Sequence, residues 1–111
     1  MAKTDQYLEA EKAIRGAIKS GSKVLNLGKI ELTTLPESIY QLTQLEELSL
    51  NSNKLTSLPE SIGQLTQLQT LYLFDNQMTS LPESIGQLKQ LRKLSLFINR
   101  LTSLPESIGQ L

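Results

Sequence analysis

Carboxylates, hydroxyls and amines are the groups through which this sequence could carry out acid–base or nucleophilic chemistry. The chain contains 11 Asp plus Glu residues but neither His nor Cys, so a serine nucleophile would depend on a lysine or a carboxylate as its base. Glu46 and Glu47 are adjacent, and on a strand they would point to opposite faces rather than toward one substrate. The residue types and their spacing therefore predict that the chain is not an enzyme. Without thiol or imidazole ligands, they also predict no cofactor and no metal site.

The charge balance limits the partners that the chain can have. Its 11 Lys plus Arg residues match the acidic ones, so the formal net charge is zero. A nucleic-acid-binding or membrane-surface protein would carry a basic excess, and no stretch approaches the roughly 18 apolar residues of a membrane span. The N-terminus also lacks the apolar segment of a secretory signal. We therefore expect a cytoplasmic protein that binds neither nucleic acid nor a membrane.

An internal repeat supplies the elements that position the polar and aromatic residues. The decapeptide TSLPESIGQL occurs at 56–65, 79–88 and 102–111, and a shorter copy, LPESI, lies at 35–39. Between the copies, the pattern Leu-x-x-Leu-x-Leu-x-x-Asn-x-Leu recurs with the same period of 23 residues. The patterned units begin at Leu45, Leu68 and Leu91. Such a period is typical of stacked units that bury a continuous core only together.

The spacing inside each unit predicts a short strand followed by an irregular return segment. Leu48 and Leu50 lie two residues apart, so an extended chain turns both to one side, and the equivalent leucines of the other units do the same. Proline fixes φ and removes an N–H, which excludes a central strand and suits a return segment of 3₁₀ type. The prolines lie at positions 36, 59, 82 and 105. Glycines at 63, 86 and 109 are expected to ease the turn toward the next strand.

One asparagine per patterned unit lies where the chain leaves the strand. A short amide at this point can bind backbone groups of its own unit and of the neighbouring one, which an apolar side chain cannot do. We expect these residues to form a buried structural ladder of Asn53, Asn76 and Asn99. An earlier unit, from Ser22, is degenerate and has Ile30 at the asparagine position.

The two ends of the chain differ from the repeats. Apolar residues recur at helical spacing between Tyr7 and Ile18, with Thr4 as a candidate N-cap and Gly21 as a helix stop. We expect this helix to cover one open end of the core, and its presentation to a partner is the alternative. At the other end, the last strand would expose leucines and unpaired backbone groups. Either the chain is a fragment of a longer array, which is favoured, or it self-associates through its uncapped C-terminal end.

The units closely resemble the 23-residue leucine-rich repeats whose return segment reads Leu-Pro-x-x-Ile-x-x-Leu. Such repeats occur in bacterial intracellular proteins and in Ras-associated scaffold proteins, and the beginning of the chain is similar to repeat regions of Roco-type proteins. The resemblance implies an α/β fold, a right-handed solenoid with short parallel strands on its concave face and an N-terminal capping helix. It implies a single domain with the capping helix at 1–21 and the repeats at 22–111, of which the last is incomplete. The chain lacks a Walker-type phosphate loop, so no GTPase activity carries over.

Differences among the repeats locate a candidate binding site on the concave strand face. The return segments are near-identical, whereas the strand segments vary at positions that point away from the core. Tyr72 and Phe74 lie two residues apart on one strand. Phe97 lies one period after Phe74, and Ile98 follows it at the rim. The rest of the predicted partner-binding set consists of Glu47, Ser49, Asn51, Thr70, Lys93 and Ser95.

Contiguous exposed apolar side chains mark interaction sites, and aromatic residues are favoured anchors. The alternative is that the rings only pack on one another across the strands. We therefore predict a noncatalytic protein–protein interaction module, or scaffold, that binds a protein partner on the concave strand face. The competing prediction is a structural or self-associating fragment of a larger multidomain protein, with no separate ligand of its own. Acidic residues precede the site and basic residues follow it, so charge would orient a partner.

Overall fold

The computed structural model describes residues 4–110, which form one α-helix followed by four coils of a solenoid. The helix α1 spans Asp5–Ser20, and the strands are β1 Val24–Asn26, β2 Glu47–Ser49, β3 Thr70–Tyr72 and β4 Lys93–Ser95. Each strand leads into a return segment with one 3₁₀ turn, at Glu37–Gln41, Glu60–Gln64, Glu83–Gln87 and Glu106–Gln110. A coil is therefore one strand with its return segment, in the alternation that the repeat predicts.

The four strands form one parallel sheet in the order β1-β2-β3-β4. Leu48 is aligned with Leu25 on one side and with Leu71 on the other, so each step across the sheet advances by one repeat. Parallel neighbours need a crossover of about a dozen residues or more, and the return segment supplies it. The register places equivalent residues of successive repeats side by side.

The hydrophobic core lies between the sheet and the return segments. Leu48 and Leu50 are fully buried, while Ser49 between them faces outward, as the period of two predicts. The 3₁₀ turns close the core from the other side with Ile39 and Ile62, which are also fully buried. Burial of one such side chain stabilises the fold by about 1.5–3 kcal/mol, but only because neighbouring coils supply the surrounding atoms.

The return-segment glycines differ from the prediction that they ease a turn. Neither Gly63 nor Gly86 has a positive φ. A Cβ on Gly63 would come within 2.6 Å of the Cβ of Ser84 and 2.7 Å of its carbonyl oxygen. Glycine is present there because the next coil packs directly against the backbone. At Gly109, a Cβ would meet nothing within 4 Å among the described residues.

The helix α1 covers the N-terminal end of the core. Ala10, Ile14 and Ala17 are buried against the first coil, whereas Ile18 is 36% exposed despite its helical spacing. Gly21 ends the helix in a left-handed conformation with a φ of 65°. Among the residues that the structure describes, neither α1 nor any other helix is long and apolar enough to cross a membrane.

Thr4 caps α1, and removal of this cap should lower stability measurably. The backbone N–H of Tyr7 donates to Thr4 Oγ1 at 3.1 Å. Thr4→Ala removes the acceptor and is expected to lower the free energy of unfolding by about 1 kcal/mol, measured by urea denaturation followed by circular dichroism. Thr4→Ser keeps a hydroxyl and is the control, for which we expect wild-type stability. Equal losses in the two variants would contradict the capping role.

The C-terminal coil is less well buried than the coils before it. Leu94 and Leu96 are half-buried, whereas their equivalents Leu71 and Leu73 are fully buried. Leu104 of the last return segment is 51% exposed. The difference follows from position, because the described residues place a further coil against β3 but none against the outer side of β4.

Candidate functional site

The concave strand face is the outward side of the four-stranded sheet, and its side chains come from positions that the core does not use. The strands are parallel and in register, so equivalent residues form columns across the sheet. One column consists of Val24, Glu47, Thr70 and Lys93, and the next of Asn26, Ser49, Tyr72 and Ser95. Just beyond the strands, Phe74 and Phe97 stand side by side as equivalent residues of the third and fourth coils.

Three rings and one ammonium group meet on this face, and we call Tyr72, Phe74, Phe97 and Lys93 the aromatic cluster. The rings of Phe74 and Phe97 stack with centroids 4.8 Å apart and planes 2° apart. Tyr72 meets Phe74 edge-on, with centroids 6.2 Å apart and planes at 80°. The Lys93 ammonium lies 5.1 Å from the centroid of the Tyr72 ring, within cation–π range. The fold thus brings four of the predicted site residues into one contiguous group.

The aromatic cluster and its neighbour Ile98 are accessible to a partner. Phe97 is 60% exposed and Ile98 is 65% exposed, while Tyr72 and Phe74 are half-buried by their neighbours. The strand leucines fill the core, so these four side chains are not needed for it. A contiguous group of exposed apolar side chains of this kind is typical of an interaction site.

Ile98 adopts a left-handed backbone conformation that its own side chain disfavours. Its φ is 57°, and the equivalent residues of the earlier coils have φ between 58° and 61°. Those residues are Lys29, Ser52 and Asp75. A β-branched residue is a genuine outlier in this region, and such strain costs about 1–3 kcal/mol. The turn imposes the conformation, so the stability of the fold does not explain an exposed isoleucine at this position.

Replacement of Ile98 by asparagine is expected to stabilise the protein and to weaken partner binding. Asparagine tolerates the left-handed region, so we expect a gain of about 1 kcal/mol in the free energy of unfolding, measured by urea denaturation. Val24→Asn is the matched control, because Val24 is also β-branched and 58% exposed on the same face but lies in a strand. Lower stability of Ile98→Asn than of the wild type would contradict the assignment of strain.

Charges are distributed unevenly along the concave strand face. Toward β2, the Glu46 carboxylate lies 3.8 Å from the Lys23 ammonium, and Glu47 is half-buried beside it. On the β4 side, Arg92 and Lys93 are exposed, and within the described part of the chain neither has a carboxylate partner. The face is therefore acidic toward β2 and basic toward β4.

Comparison with known proteins gives the family. The family model for a leucine-rich repeat region matches residues 23–111. The chain belongs to the leucine-rich repeat family. Among solved structures it is similar to a leucine-rich repeat protein of Leptospira interrogans, at 34% identity and a TM-score of 0.72. It is also similar to the leucine-rich repeat domain of the type III effector XopL, at 31% and 0.81, and to YopM from Yersinia enterocolitica WA-314, at 29% and 0.77. No curated protein matches the chain.

The similarity to these three solved structures extends over nearly all of this chain but over a minor part of each of theirs. It covers 99%, 96% and 96% of this chain, and 39%, 36% and 22% of the respective solved chains. The predicted leucine-rich repeat fold, with short parallel strands and an N-terminal helix, is confirmed. Leucine-rich repeats generally serve as protein-interaction modules. The similarity to Roco-type repeats stays a prediction.

The remaining predicted residues of the leucine-rich repeat face surround the aromatic cluster to different extents. Thr70 is aligned with Lys93 across β3 and β4. Glu47 lies one strand further away, next to Thr70. Asn51 occupies the space in front of Gly28, where a Cβ would come within 2.8 Å of its Oδ1. Ser49 and Ser95 are half-buried and are aligned with Tyr72 on its two sides.

The asparagines of the repeat lie inside the solenoid and not on the concave strand face. Asn76 Nδ2 donates to the carbonyl oxygens of Leu50 and Leu73, and Asn76 Oδ1 accepts from the N–H of Leu55. Asn53 and Asn99 make equivalent bonds to their own and the preceding coil. Asn53 and Asn76 are buried, while Asn99 is half-buried. These amides therefore join successive coils.

The same bonding explains the degenerate first repeat. Asn53 Oδ1 accepts from the N–H groups of Ile30 and Leu32, which belong to the first coil. Each asparagine thus serves the coil that precedes it, and the first coil follows a helix instead. Since a helix and not another coil comes before it, no backbone group of an earlier coil needs an amide at position 30.

Two features of the site were not recognised from the repeat pattern. One is the left-handed conformation at Ile98. The other is Asp75, which precedes Ile98 by one repeat and places an exposed carboxylate at the carboxyl end of β3. The period of 23 residues contained the signal for both, because Ser52 and Asp75 at the equivalent positions are residue types favoured in turns.

Proposed function

We propose that the chain is a noncatalytic protein–protein interaction module that binds a protein partner through the aromatic cluster of its concave strand face. The observation that carries the proposal is the accessible stack of Phe74 on Phe97, bordered by Ile98. Aromatic residues are enriched at interfaces, and exposed contiguous apolar surface marks interaction sites. The cytoplasmic location of the protein stays a prediction.

The contribution of the aromatic cluster to sheet stability does not account for its presence. A cross-strand aromatic pair such as Phe74 and Phe97 contributes about 0.2–1 kcal/mol to the stability of the sheet. A ring that is 60% exposed nevertheless leaves much of its apolar area in water, and the strained Ile98 costs about 1–3 kcal/mol. Binding explains the presence of these residues better than folding does, because a partner would cover the exposed apolar area.

The polar groups of the face support binding over catalysis. Ser49 and Ser95 have no imidazole to activate them, because the sequence contains no His. Glu46 is paired with Lys23 rather than with a second carboxylate. Arranged in this way, the serines and carboxylates can donate and accept hydrogen bonds across an interface.

The test of the proposed function compares partner capture by the wild type and by a Phe74→Ala, Phe97→Ala variant. A lysate of the source cells supplies the partner, which is then purified for an affinity measurement. Hot-spot residues cost about 2 kcal/mol or more on truncation, so we expect affinity to fall by about thirtyfold or more. Circular dichroism checks that both proteins are folded.

Tyr40→Ala is the matched control for this test. Tyr40 is an exposed aromatic residue, at 42%, but it lies in a return segment rather than on the strand face. We expect Tyr40→Ala to bind the partner like the wild type. Equal capture by the wild type and the double variant would overturn the site assignment, and loss of capture by Tyr40→Ala would move the site to the return segments.

A second candidate function is self-association through the β4 end of the array. The half-buried Leu94 and Leu96 favour it, because a second copy packed there would complete their burial. Light scattering at increasing concentration should then show a rising mass, and Leu94→Lys should reduce it. A monomeric mass at all concentrations would contradict this candidate.

A further inference from the structure

Lys93 gives the aromatic cluster an exposed cation, and a second cation precedes it in the chain. The ammonium of Lys93 lies 5.1 Å from the centroid of the Tyr72 ring, and Arg92 precedes it at the same end of β4. Both side chains are exposed, and among residues 4–110 neither pairs with a carboxylate. The positive charge of Lys93 thus lies directly against the ring at which the apolar surface begins.

The carboxylates of the concave strand face lie elsewhere. Glu47 is two strands away from Lys93 in the same column, with Thr70 between them. Glu46 faces Lys23. Asp75 lies beyond the opposite, carboxyl end of β3. The cluster therefore has a cationic edge at the amino end of β4 and one carboxylate beyond the carboxyl end of β3.

We infer that the partner is a protein segment that presents an apolar side chain to Phe74 and Phe97 and a carboxylate to Lys93. This inference rests on the proposed function and names the chemistry of its partner. The acidic end of the segment lies over the amino end of β4, and its neutral or basic end lies toward Asp75. The Lys93 ammonium lies 5.1 Å from the Tyr72 centroid, which lies 6.2 Å from that of Phe74. The ammonium is therefore within about 11 Å of the Phe74 ring, and an extended partner segment of about three or four residues spans both contacts.

Charge complementarity selects this partner over a neutral or basic one. A partner that covered the aromatic cluster without an anion would withdraw water from Lys93 and supply nothing in return. A carboxylate would form a charge-assisted hydrogen bond at the same point. A basic segment would meet a like charge at Lys93, which disfavours its association.

The test uses a phage-displayed library of linear peptides selected against the immobilised full chain. We expect enrichment of peptides with Asp or Glu within a few residues of an aromatic or aliphatic residue. Association of an enriched peptide with Lys93→Glu should be about tenfold slower than with the wild type at low salt, and the difference should shrink at high ionic strength. Lys93→Gln removes the charge without reversing it and should slow association less.

Lys54→Glu is the matched control for the charge reversal. Lys54 is exposed and lies outside the strands, so the substitution changes net charge equally without altering the edge of the cluster. Its association rate should differ from the wild-type rate by less than about twofold. Circular dichroism of each variant checks folding.

The outcomes separate this inference from the proposed function. Enrichment of basic peptides overturns only the inference. The same conclusion follows if binding is unchanged in Lys93→Glu and lost in the Phe74→Ala, Phe97→Ala variant. Peptides that bind the double alanine variant as well as the wild type overturn both, as does a selection that enriches no peptide.

Discussion

Asn76→Ala is expected to lower the free energy of unfolding by about 3 kcal/mol. The amide donates to the carbonyl oxygens of Leu50 and Leu73 and accepts from the N–H of Leu55. All these bonds are buried. Alanine would leave the N–H of Leu55 without an acceptor and would remove one of the two amide donors from each carbonyl, because Asn53 also donates to Leu50 and Asn99 to Leu73. One unsatisfied buried group costs about 1–3 kcal/mol. Urea denaturation followed by circular dichroism measures the loss.

Asn51→Ala is the control for this prediction. Asn51 lies two residues before the ladder position on the half-exposed strand face, where its Nδ2 makes one long contact, 3.4 Å from Ser52 Oγ. We expect a change within about 0.5 kcal/mol, as for ordinary surface substitutions. Similar losses for Asn76→Ala and Asn51→Ala would show that the amide is not what joins the coils.

Asn76→Ala should also disturb the arrangement of the aromatic cluster. Asn76 Nδ2 lies 3.3 Å from the carbonyl oxygen of Phe74, so the amide holds the turn that orients this ring. The N–H of Asp75 donates to the carbonyl oxygen of Phe97 at 3.0 Å, which joins the same turn to the next coil. The stacking of Phe74 on Phe97 therefore depends on Asn76, which is itself buried.

Gly63→Ala is expected to lower the free energy of unfolding by about 2–3 kcal/mol. The added Cβ would come within 2.6 Å of the Cβ of Ser84 and 2.7 Å of its carbonyl oxygen. The second neighbour is backbone, so a change of side-chain rotamer cannot relieve the clash, and the two coils must separate. Overpacking of an interior typically costs about 1–3 kcal/mol. Thermal or urea denaturation of the variant measures the effect.

Gly109→Ala is the matched control, because it is the same substitution in the same repeated sequence. A Cβ there meets nothing within 4 Å among the described residues, and Gly109 is exposed with no positive φ. We expect stability equal to that of the wild type or slightly higher, since alanine restricts the unfolded chain more than glycine does. An equal loss at both positions would indicate a backbone requirement of the return segment and not contact with the next coil.

The apolar pattern predicted the core because the spacing of the leucines and the period of the repeat both require stacked strands. Leucines two apart on a strand can be buried together only when strands stack, and a repeat of 23 residues sets the register of that stacking. The helix was predictable for a similar reason. Thr4 and Gly21 mark its two ends through local hydrogen bonding and backbone conformation, which depend on few residues.

Local patterns failed where the next coil decides the environment. Gly63 fits a turn in sequence, but the backbone of Ser84, 21 residues later, explains why no side chain fits there. Ile18 continues the helical spacing, yet it is 36% exposed, whereas Ala17 beside it is buried against the first coil. In both cases the deciding atoms belong to another element.

The candidate site was predictable in its members and not in its geometry. The period places Phe97 one repeat after Phe74, so their proximity follows from stacking. The parallel arrangement of those two rings, the position of Lys93 over Tyr72 and the strain at Ile98 depend on side-chain and turn conformations that sequence spacing does not encode.

The sequence by itself determined the repeat, the strand and return segments, the leucine core and the asparagine positions, because each depends on periodicity and on backbone hydrogen bonding within about one repeat. Only the tertiary structure decided which side chains on the concave strand face touch and which stay accessible. It also decided that Asn53 accepts hydrogen bonds from the coil before it, and that the next coil packs directly against the backbone of Gly63. The physical reason is that these properties arise between coils, where packing leaves room for some atoms and none for others.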